Sequence, residues 1–219
     1  MIRVAPAPEP PDFETQVRQP GLDALAELVG ELPLRRRRGP KRTKIADRRE
    51  DIPSESFPPF WTEALEELLT AYWRICAYTC FYIEPVTGAA SVDHMIPKSQ
   101  AWDRVYEWLN YRLACSLMNT RKGAMTDVLD PFEVQHGWFT IEFTGFQVLP
   151  AEGVRRVITA QVAATIQRLR LNDRDCRERR EEYAVSYWEH QISLGYLSRR
   201  APFVVMELRR QGRLCKGDV

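Results

Sequence analysis

The amino-acid sequence predicts an α+β fold, with short strands in the middle of the chain and helices on both sides of them. Apolar residues recur at helical spacing before residue 77 and again after residue 152. Between these regions, four short segments alternate apolar and polar residues in the way that half-buried strands do. Turn residues separate these segments.

Composition is that of a folded protein without strong overall charge. The chain has 219 residues, of which 44% are hydrophobic, so it can bury one sizeable core. The net charge is only +1, so nucleic-acid binding would depend on local clusters of positive charge. The sequence has no apolar run of about 18 residues and no apolar leader, so we expect no membrane span and a cytoplasmic protein.

The chain divides into three parts. These are a Pro/Arg-rich N-terminal arm at 1–58, a core at 59–150 and a helical region at 151–219. Leucine spacing from Leu22 to Val29 predicts one short helix in the arm. A basic run follows, and the Gly39-Pro40 pair inside it predicts an extended arm or flexible loop. The basic residues of the run are Arg35, Arg36, Arg37, Arg38, Lys41, Arg42 and Lys44.

The core elements follow in order. Helical spacing predicts an amphipathic helix from about 60 to 76. Strands are predicted at 91–94 and 111–115, and a short helix then opens at Ser116 or Asn119 and ends before Gly123. Alternation around the Thr144-Gly145 turn predicts a β-hairpin between 139 and 148.

The last third of the chain is predicted to be helical. An apolar stripe from Val154 to Leu169 predicts one helix, and Asn172-Asp173 caps the start of the next. A final segment from about Pro202 to Arg210 carries further apolar residues.

Residues 92–123 contain the side chains needed to hydrolyse a phosphodiester. The oxygens of Asp93 and Asn119 suit Mg²⁺, which keeps several waters and takes one or two protein ligands. His94 can accept a proton from water at neutral pH, because the ordinary pKa of histidine is about 6.5. Lys122 can neutralise charge on a phosphate oxygen.

This stretch resembles the HNH nuclease family, whose core is a ββα-metal finger. Asp93-His94 at the end of the first strand, Asn110 in the connecting loop and Asn119 at the start of the helix match the family's positions in order. The Pro97-Lys98-Ser99 segment and the residues around the second strand are also similar to that family. The resemblance covers roughly residues 76–124.

The resemblance implies a metal-dependent endonuclease that cuts DNA and leaves a 5′-phosphate and a 3′-hydroxyl. His94 would be the general base, Asp93 and Asn119 would hold Mg²⁺ or Mn²⁺, and Asn110 would tie the loop that fixes the histidine. A ββα-metal finger embedded in helices, with an extra β-hairpin and a helical C-terminal part, is the implied architecture.

Each of these residues also has a purely structural interpretation. His94 can be a core histidine, and Asn119 can be a helix cap. Lys98 and Lys122 are either phosphate contacts or solvated surface charges. The basic run is either a nucleic-acid contact, held through counterion release, or a solvated linker.

The cysteines depart from the zinc-braced form of the family. Cys76, Cys80 and Cys115 occupy three of the four expected positions, but Met118 stands at the fourth. Structural zinc needs four thiolate or imidazole ligands and rarely uses methionine. We therefore expect buried thiols without structural zinc, and packing of the 60–76 helix to hold the finger instead.

The expected partners are DNA and an ATPase. The opening Pro8-Glu9-Pro10-Pro11-Asp12-Phe13 and the chain's size resemble small HNH effectors of Septu- and retron-type bacterial antiphage systems, which pair with an ATPase. A double-strand break would need a dimer of this chain, a second encounter or a partner nuclease. Two alternatives stay open: an HNH-derived binding or regulatory subunit that does not cut, and an RNase.

Overall fold

The alternating segments form two small antiparallel sheets, which confirms the α+β prediction. In the computed structural model, which describes residues 1–35 and 38–218, strand β1 (Ala90–His94) pairs with β2 (Tyr111–Cys115). Strand β3 (Phe139–Glu142) pairs with β4 (Gln147–Pro150). The described residues also form seven α-helices: α1 (Gln19–Val29), α2 (Leu65–Ala71), α3 (Ser116–Lys122), α4 (Arg156–Arg168), α5 (Arg174–Trp188), α6 (Leu194–Arg200) and α7 (Pro202–Arg210).

Strands β1 and β2 and helix α3 form a continuous ββα unit. The register places Val92 opposite Leu113 and His94 opposite Tyr111. Helix α3 begins at the residue after β2, and it ends where Gly123 takes a φ of +49°, a conformation that favours glycine. This unit therefore brings the end of β1 close to the turns of α3.

The N-terminal part, predicted as an arm, is packed on the core over residues 1–29. Phe13 is buried, and its ring meets those of Trp108 and Tyr111 edge-on, with centroids 5.6 and 5.8 Å apart. The Trp108 indole donates a hydrogen bond to the Ala7 carbonyl at 2.8 Å. Before Leu22 the apolar residues are spaced too irregularly to show a helical or strand period, so the sequence pattern did not reveal their burial, whereas the helix predicted from Leu22 to Val29 is part of α1.

Helix α2 is shorter than the predicted helix from 60 to 76. A 3₁₀ turn covers Phe60–Ala64, and the α-helix ends at Ala71. Trp73 and Arg74 then take positive φ angles of 52° and 60°, which turn the chain so that Ile75 can pair with Tyr82. The prediction was wrong after residue 71 because the apolar residues beyond it belong to this bridge and not to a helical face.

Three of the C-terminal helices follow the prediction, and α6 was not predicted. Ser193 caps α6 by accepting a hydrogen bond from the Tyr196 amide. Asp173 precedes α5 as predicted, but its carboxylate accepts a hydrogen bond from Arg121 and makes no cap bond. Buried Glu207 on α7 accepts hydrogen bonds from the Ile141 amide and the Thr140 hydroxyl, which ties this region to β3.

No helix in the described ranges combines the length and the apolar character that crossing a membrane would require.

Candidate functional site

A pocket of about 240 Å³ lies beside the end of β1, between the loop that follows it and helix α3. Its wall contains Asp93, His94, Lys98 and Asn119, four of the residues singled out in the sequence. Asn110 and Lys122 do not line it. The fold therefore brings one carboxylate, one imidazole, one amide and one ammonium to a common space.

His94 is held in one tautomer by the main chain. Its Nε2 lies 3.0 Å from the carbonyl oxygen of Val105. A carbonyl can only accept, so Nε2 carries the proton and the neutral ring keeps its lone pair on Nδ1. Trp61 and Tyr111 meet the ring edge-on, at centroid distances of 5.0 and 5.2 Å.

Burial sets the charge state of His94. The side chain is 8% exposed, and desolvation lowers its pKa to about 4, so the imidazole is neutral at pH 7. The hydrogen bond to Val105 opposes this shift, and the positive charges of Lys98 and Lys122 add to it. His94 is thus kept in the form that can accept a proton at Nδ1.

Asp93 is almost completely buried and is held by two donors. The Tyr78 hydroxyl donates to Oδ2 at 2.5 Å, and the Lys122 ammonium donates to Oδ1 at 3.2 Å. Burial raises the pKa of Asp93, and Lys122 and Tyr78 oppose that rise by favouring the carboxylate. Because a carboxylate has about four acceptor positions, these two bonds leave lone pairs for a further partner.

Lys122 does not have the role expected from the sequence. Its side chain has no exposed surface, and its ammonium also donates to the His94 carbonyl at 2.6 Å. An ammonium enclosed in this way does not reach the pocket, so the geometry does not support the expected phosphate contact. Lys122 instead binds the last turn of α3 to the end of β1.

Asn119 lies within α3 and not at its cap, which is Cys115. Its Nδ2 donates to the Ser91 hydroxyl and to the Val92 carbonyl, both at 3.2 Å. These bonds orient the amide and leave Oδ1 without a hydrogen-bond partner among the described residues. Asn119 therefore offers a free oxygen on a fixed amide beside the pocket.

Asn110 acts on the loop that separates the strands. Its Oδ1 accepts from the Ile96 amide at 2.7 Å, and its Nδ2 donates to the carbonyls of Ile96 and Arg104 at 3.1 and 2.9 Å. The side chain is buried and makes no contact with the pocket. It closes the loop that presents the Val105 carbonyl, so its effect on His94 is indirect.

Lys98 is the half-buried cation of the pocket. Its ammonium lies 4.3 Å from the centroid of the Trp61 ring, and burial lowers its pKa. Within the described residues it forms no ion pair. Of the two lysines predicted to contact phosphate, Lys98 is the one that the fold places at the pocket.

Acidic residues of the same chain neutralise part of the basic run. The Arg42 guanidinium pairs with Glu27 at 3.0 Å, and the Lys44 ammonium pairs with Asp47 at 2.6 Å. The amide of Arg35 donates to the Asp23 carboxylate. Arg36 and Arg37, which were also predicted to contact nucleic acid, lie outside the described residues. Arg38 and Lys41 are exposed. No helix or strand forms in the described part of this run.

The cysteines that take the positions of a zinc site are free thiols. The sulfurs of Cys76 and Cys115 lie 4.0 Å apart; Cys76 and Cys80 are buried and Cys115 is partly exposed. Cys76 and Cys115 line a second cavity, of about 340 Å³, together with Met118 and with Cys176 of α5. The sequence analysis did not connect Cys176 to this group, because it comes sixty-one residues after Cys115 on a different element.

The donor set at the pocket fits one hard divalent cation. Asp93 can offer a carboxylate oxygen and Asn119 its free Oδ1, and Mg²⁺ needs only one or two such ligands beside water. The nearby ammonium of Lys122 opposes cation binding by charge and favours weak binding over tight binding. In the described ranges, no three or more His, Cys, Asp or Glu side chains cluster as a metal site.

Three contributors to the site were missed in the sequence. These are the Tyr78 hydroxyl, the Trp61 ring and the Val105 carbonyl. Tyr78 lies between two of the cysteines and belongs to no motif that the sequence analysis considered, and a main-chain carbonyl has no signature in sequence. No protein-family model matches this chain, and no curated protein is significantly similar to it.

Proposed function

We propose that the protein is a metal-dependent, HNH-type endonuclease that hydrolyses phosphodiester bonds in DNA. The observation that carries this proposal is the tautomer of His94 and its position in the pocket wall. Its Nε2–H is committed to the Val105 carbonyl, and its unprotonated Nδ1 belongs to a ring in the wall of a pocket that also contains Asp93 and Asn119. A base, a carboxylate and a free amide oxygen in one pocket are groups that metal-assisted hydrolysis of a phosphodiester can use.

In this mechanism, His94 Nδ1 accepts a proton from the water that attacks the phosphorus. The neutral ring is ready to do so at pH 7, and the negative charge of a bound phosphodiester would raise its pKa during catalysis. Asp93 and Asn119 would hold Mg²⁺ or Mn²⁺, which when bound supplies stabilisation of charge on the phosphate and on the leaving 3′ oxygen.

The remaining residues position the substrate or the base. Lys98 lies at the pocket and would neutralise a phosphate oxygen. Asn110 closes the loop that carries Val105, and Lys122 holds α3 against the end of β1. We expect a 5′-phosphate and a 3′-hydroxyl at the cut, and cleavage of both strands to need a second copy or a partner nuclease.

The test is a plasmid nicking assay with Mg²⁺ or Mn²⁺ and an EDTA control. His94→Ala should cut about 10²–10⁴-fold more slowly, because a general base is lost, while DNA binding by mobility shift stays near wild type. His136→Ala is the matched control, since His136 is exposed and far from the pocket in sequence, and it should cut normally. Wild-type cutting by folded His94→Ala would refute the assigned base.

The same assay separates the two alternatives. A wild-type protein that binds the plasmid without nicking it would be a non-cleaving binding or regulatory subunit. Cleavage of labelled RNA in preference to DNA of the same sequence would make it an RNase. The buried Lys122 beside Asp93 is the feature that favours the non-cleaving alternative, because its charge opposes cation binding.

We further propose that the nuclease works with an ATPase partner in antiphage defence. The support is the resemblance of residues 8–13 and of the chain length to small effectors of that kind. Bacteria carrying the native locus should restrict phage plating, and His94→Ala should abolish that restriction. Equal plaque counts with and without the locus would contradict this role and leave the nuclease assignment unaffected.

A further inference from the structure

We propose that Tyr78 is a positioning residue that orients the Asp93 carboxylate for cation binding in the pocket, an inference that rests on the proposed function. Tyr78 has no exposed surface, and its hydroxyl donates to Asp93 Oδ2 at 2.5 Å. The other contact of the hydroxyl is with the sulfur of Met95, a weak acceptor at 3.9 Å. The carboxylate is therefore the principal partner of a buried donor.

The main chain around Tyr78 is fixed, so the hydroxyl is a rigid support. The Ala77 amide donates to the Leu113 carbonyl of β2 at 2.8 Å, and the Cys76 amide donates to the Phe81 carbonyl at 2.9 Å. A carboxylate can only accept, so the Tyr78 hydroxyl is the donor in the bond to Asp93. Tyr78 therefore donates to Asp93 from a fixed position.

Two donors on two different oxygens restrict rotation of the carboxylate. Lys122 holds Oδ1 and Tyr78 holds Oδ2, and rotation about the Cβ–Cγ bond would break at least one of these bonds. Without the hydroxyl, the carboxylate would be held by Lys122 alone, whose three rotatable donors can follow it in either orientation. Tyr78 thus decides which lone pairs remain for a cation beside Asn119.

The experiment compares Tyr78→Phe with the wild type and with Tyr72→Phe in the full chain. Phenylalanine keeps the buried ring and removes only the hydroxyl. Tyr72 is the matched control, because its hydroxyl accepts a hydrogen bond from the Ala7 amide and does not contact Asp93. Mn²⁺ binding without DNA is measured from the electron paramagnetic resonance signal of free Mn²⁺.

Loss of a group that orients a metal ligand typically weakens metal affinity about 10–100-fold, so we expect Tyr78→Phe to bind Mn²⁺ that much more weakly and Tyr72→Phe to bind as the wild type does. Nicking by Tyr78→Phe should recover when Mn²⁺ is raised in proportion. Wild-type Mn²⁺ affinity in Tyr78→Phe would overturn the positioning role alone. Absence of Mn²⁺ binding by the wild type would overturn the metal site and the positioning role together.

A measurement on the wild type covers the case in which Tyr78→Phe fails to fold. The buried Tyr78 hydroxyl proton should exchange slowly and give a resolved proton resonance, assigned through labelled tyrosine. Diamagnetic Mg²⁺ should shift that resonance as it binds Asp93. A resonance that stays in place at Mg²⁺ concentrations that support nicking would also overturn the proposal.

Discussion

Replacing Lys122 with methionine should destabilise the protein far more than an ordinary lysine substitution. The ammonium has no exposed surface and donates to Asp93 Oδ1 at 3.2 Å and to the His94 carbonyl at 2.6 Å. Methionine matches the length of the lysine stem but leaves the Asp93 carboxylate, only 2% exposed, without its counter-charge. Removing one partner of a buried pair costs about 3–5 kcal/mol.

Two assays measure the loss of stability in Lys122→Met. For a chain of 219 residues, each kcal/mol shifts the melting temperature by about 2–4 °C, so we expect a fall of about 6–20 °C. Urea unfolding followed by circular dichroism gives the free energy directly. The matched control is Arg168→Met, whose ion pair with Asp127 is about half exposed on both sides, at 50% and 47%. That pair should contribute at most about 1 kcal/mol.

A double variant identifies the cause of the loss. In Lys122→Met with Asp93→Asn, no bare carboxylate is buried, so a large part of the lost stability should return. If Lys122→Met costs no more than Arg168→Met, the ammonium is not the counter-charge of Asp93. If the double variant is less stable than Lys122→Met alone, the burial of an unpaired charge is not what destabilises the single variant.

Two further predictions concern acid stability and DNA binding. Because the pKa of His94 falls from 6.5 to about 4 on folding, the folded protein binds fewer protons than the unfolded chain between these pH values. The free energy of unfolding should therefore be full above pH 6.5 and fall by about 3 kcal/mol as the pH drops towards 4. Urea unfolding of metal-free wild type and His94→Gln tests this, and an equal pH dependence in both would contradict it. Neutralising the basic run at 35–44 should weaken DNA binding for all sequences and make the slope of log K against log salt shallower by about 0.9 per lost contact. Unchanged affinity and slope would show that the run is a linker or binds a protein.

Local patterns predicted the ββα unit that positions the site, and also the separate β3–β4 hairpin. Strands β1 and β2, helix α3 and the β3–β4 hairpin depend on alternation, turn residues and a terminating glycine, all of which are properties of a few adjacent residues. Helix α6 was missed because, unlike the equally short α3, it has no terminating glycine, and its start is marked by a single capping serine. The 60–76 helix was predicted too long because an apolar residue in a bridge looks like one on a helical face.

The contacts that determine the chemistry of the site were not predictable in the same way. Lysine is almost never fully buried, so a fully enclosed Lys122 contradicts the ordinary expectation for that residue type. Its partner Asp93 lies 29 positions earlier, and only the packing of α3 on β1 brings them together. Residue types therefore indicated a candidate site, whereas the division between pocket residues and supporting residues required the three-dimensional structure.

The Val105 carbonyl affects how the site tolerates sequence change. It accepts hydrogen bonds from both His94 Nε2 and the Tyr111 hydroxyl, at 3.0 and 2.8 Å. A main-chain oxygen is present whichever amino acid occupies position 105, so the tautomer of His94 depends on the path of the loop, which Asn110 holds, and not on the side chain at position 105. One inserted or deleted residue would displace that oxygen by about 3.3–3.8 Å, which is enough to break its hydrogen bond with His94 Nε2. The exposed side chains of the 95–109 loop can therefore be substituted without changing the tautomer of His94, provided that the number of residues in the loop is kept.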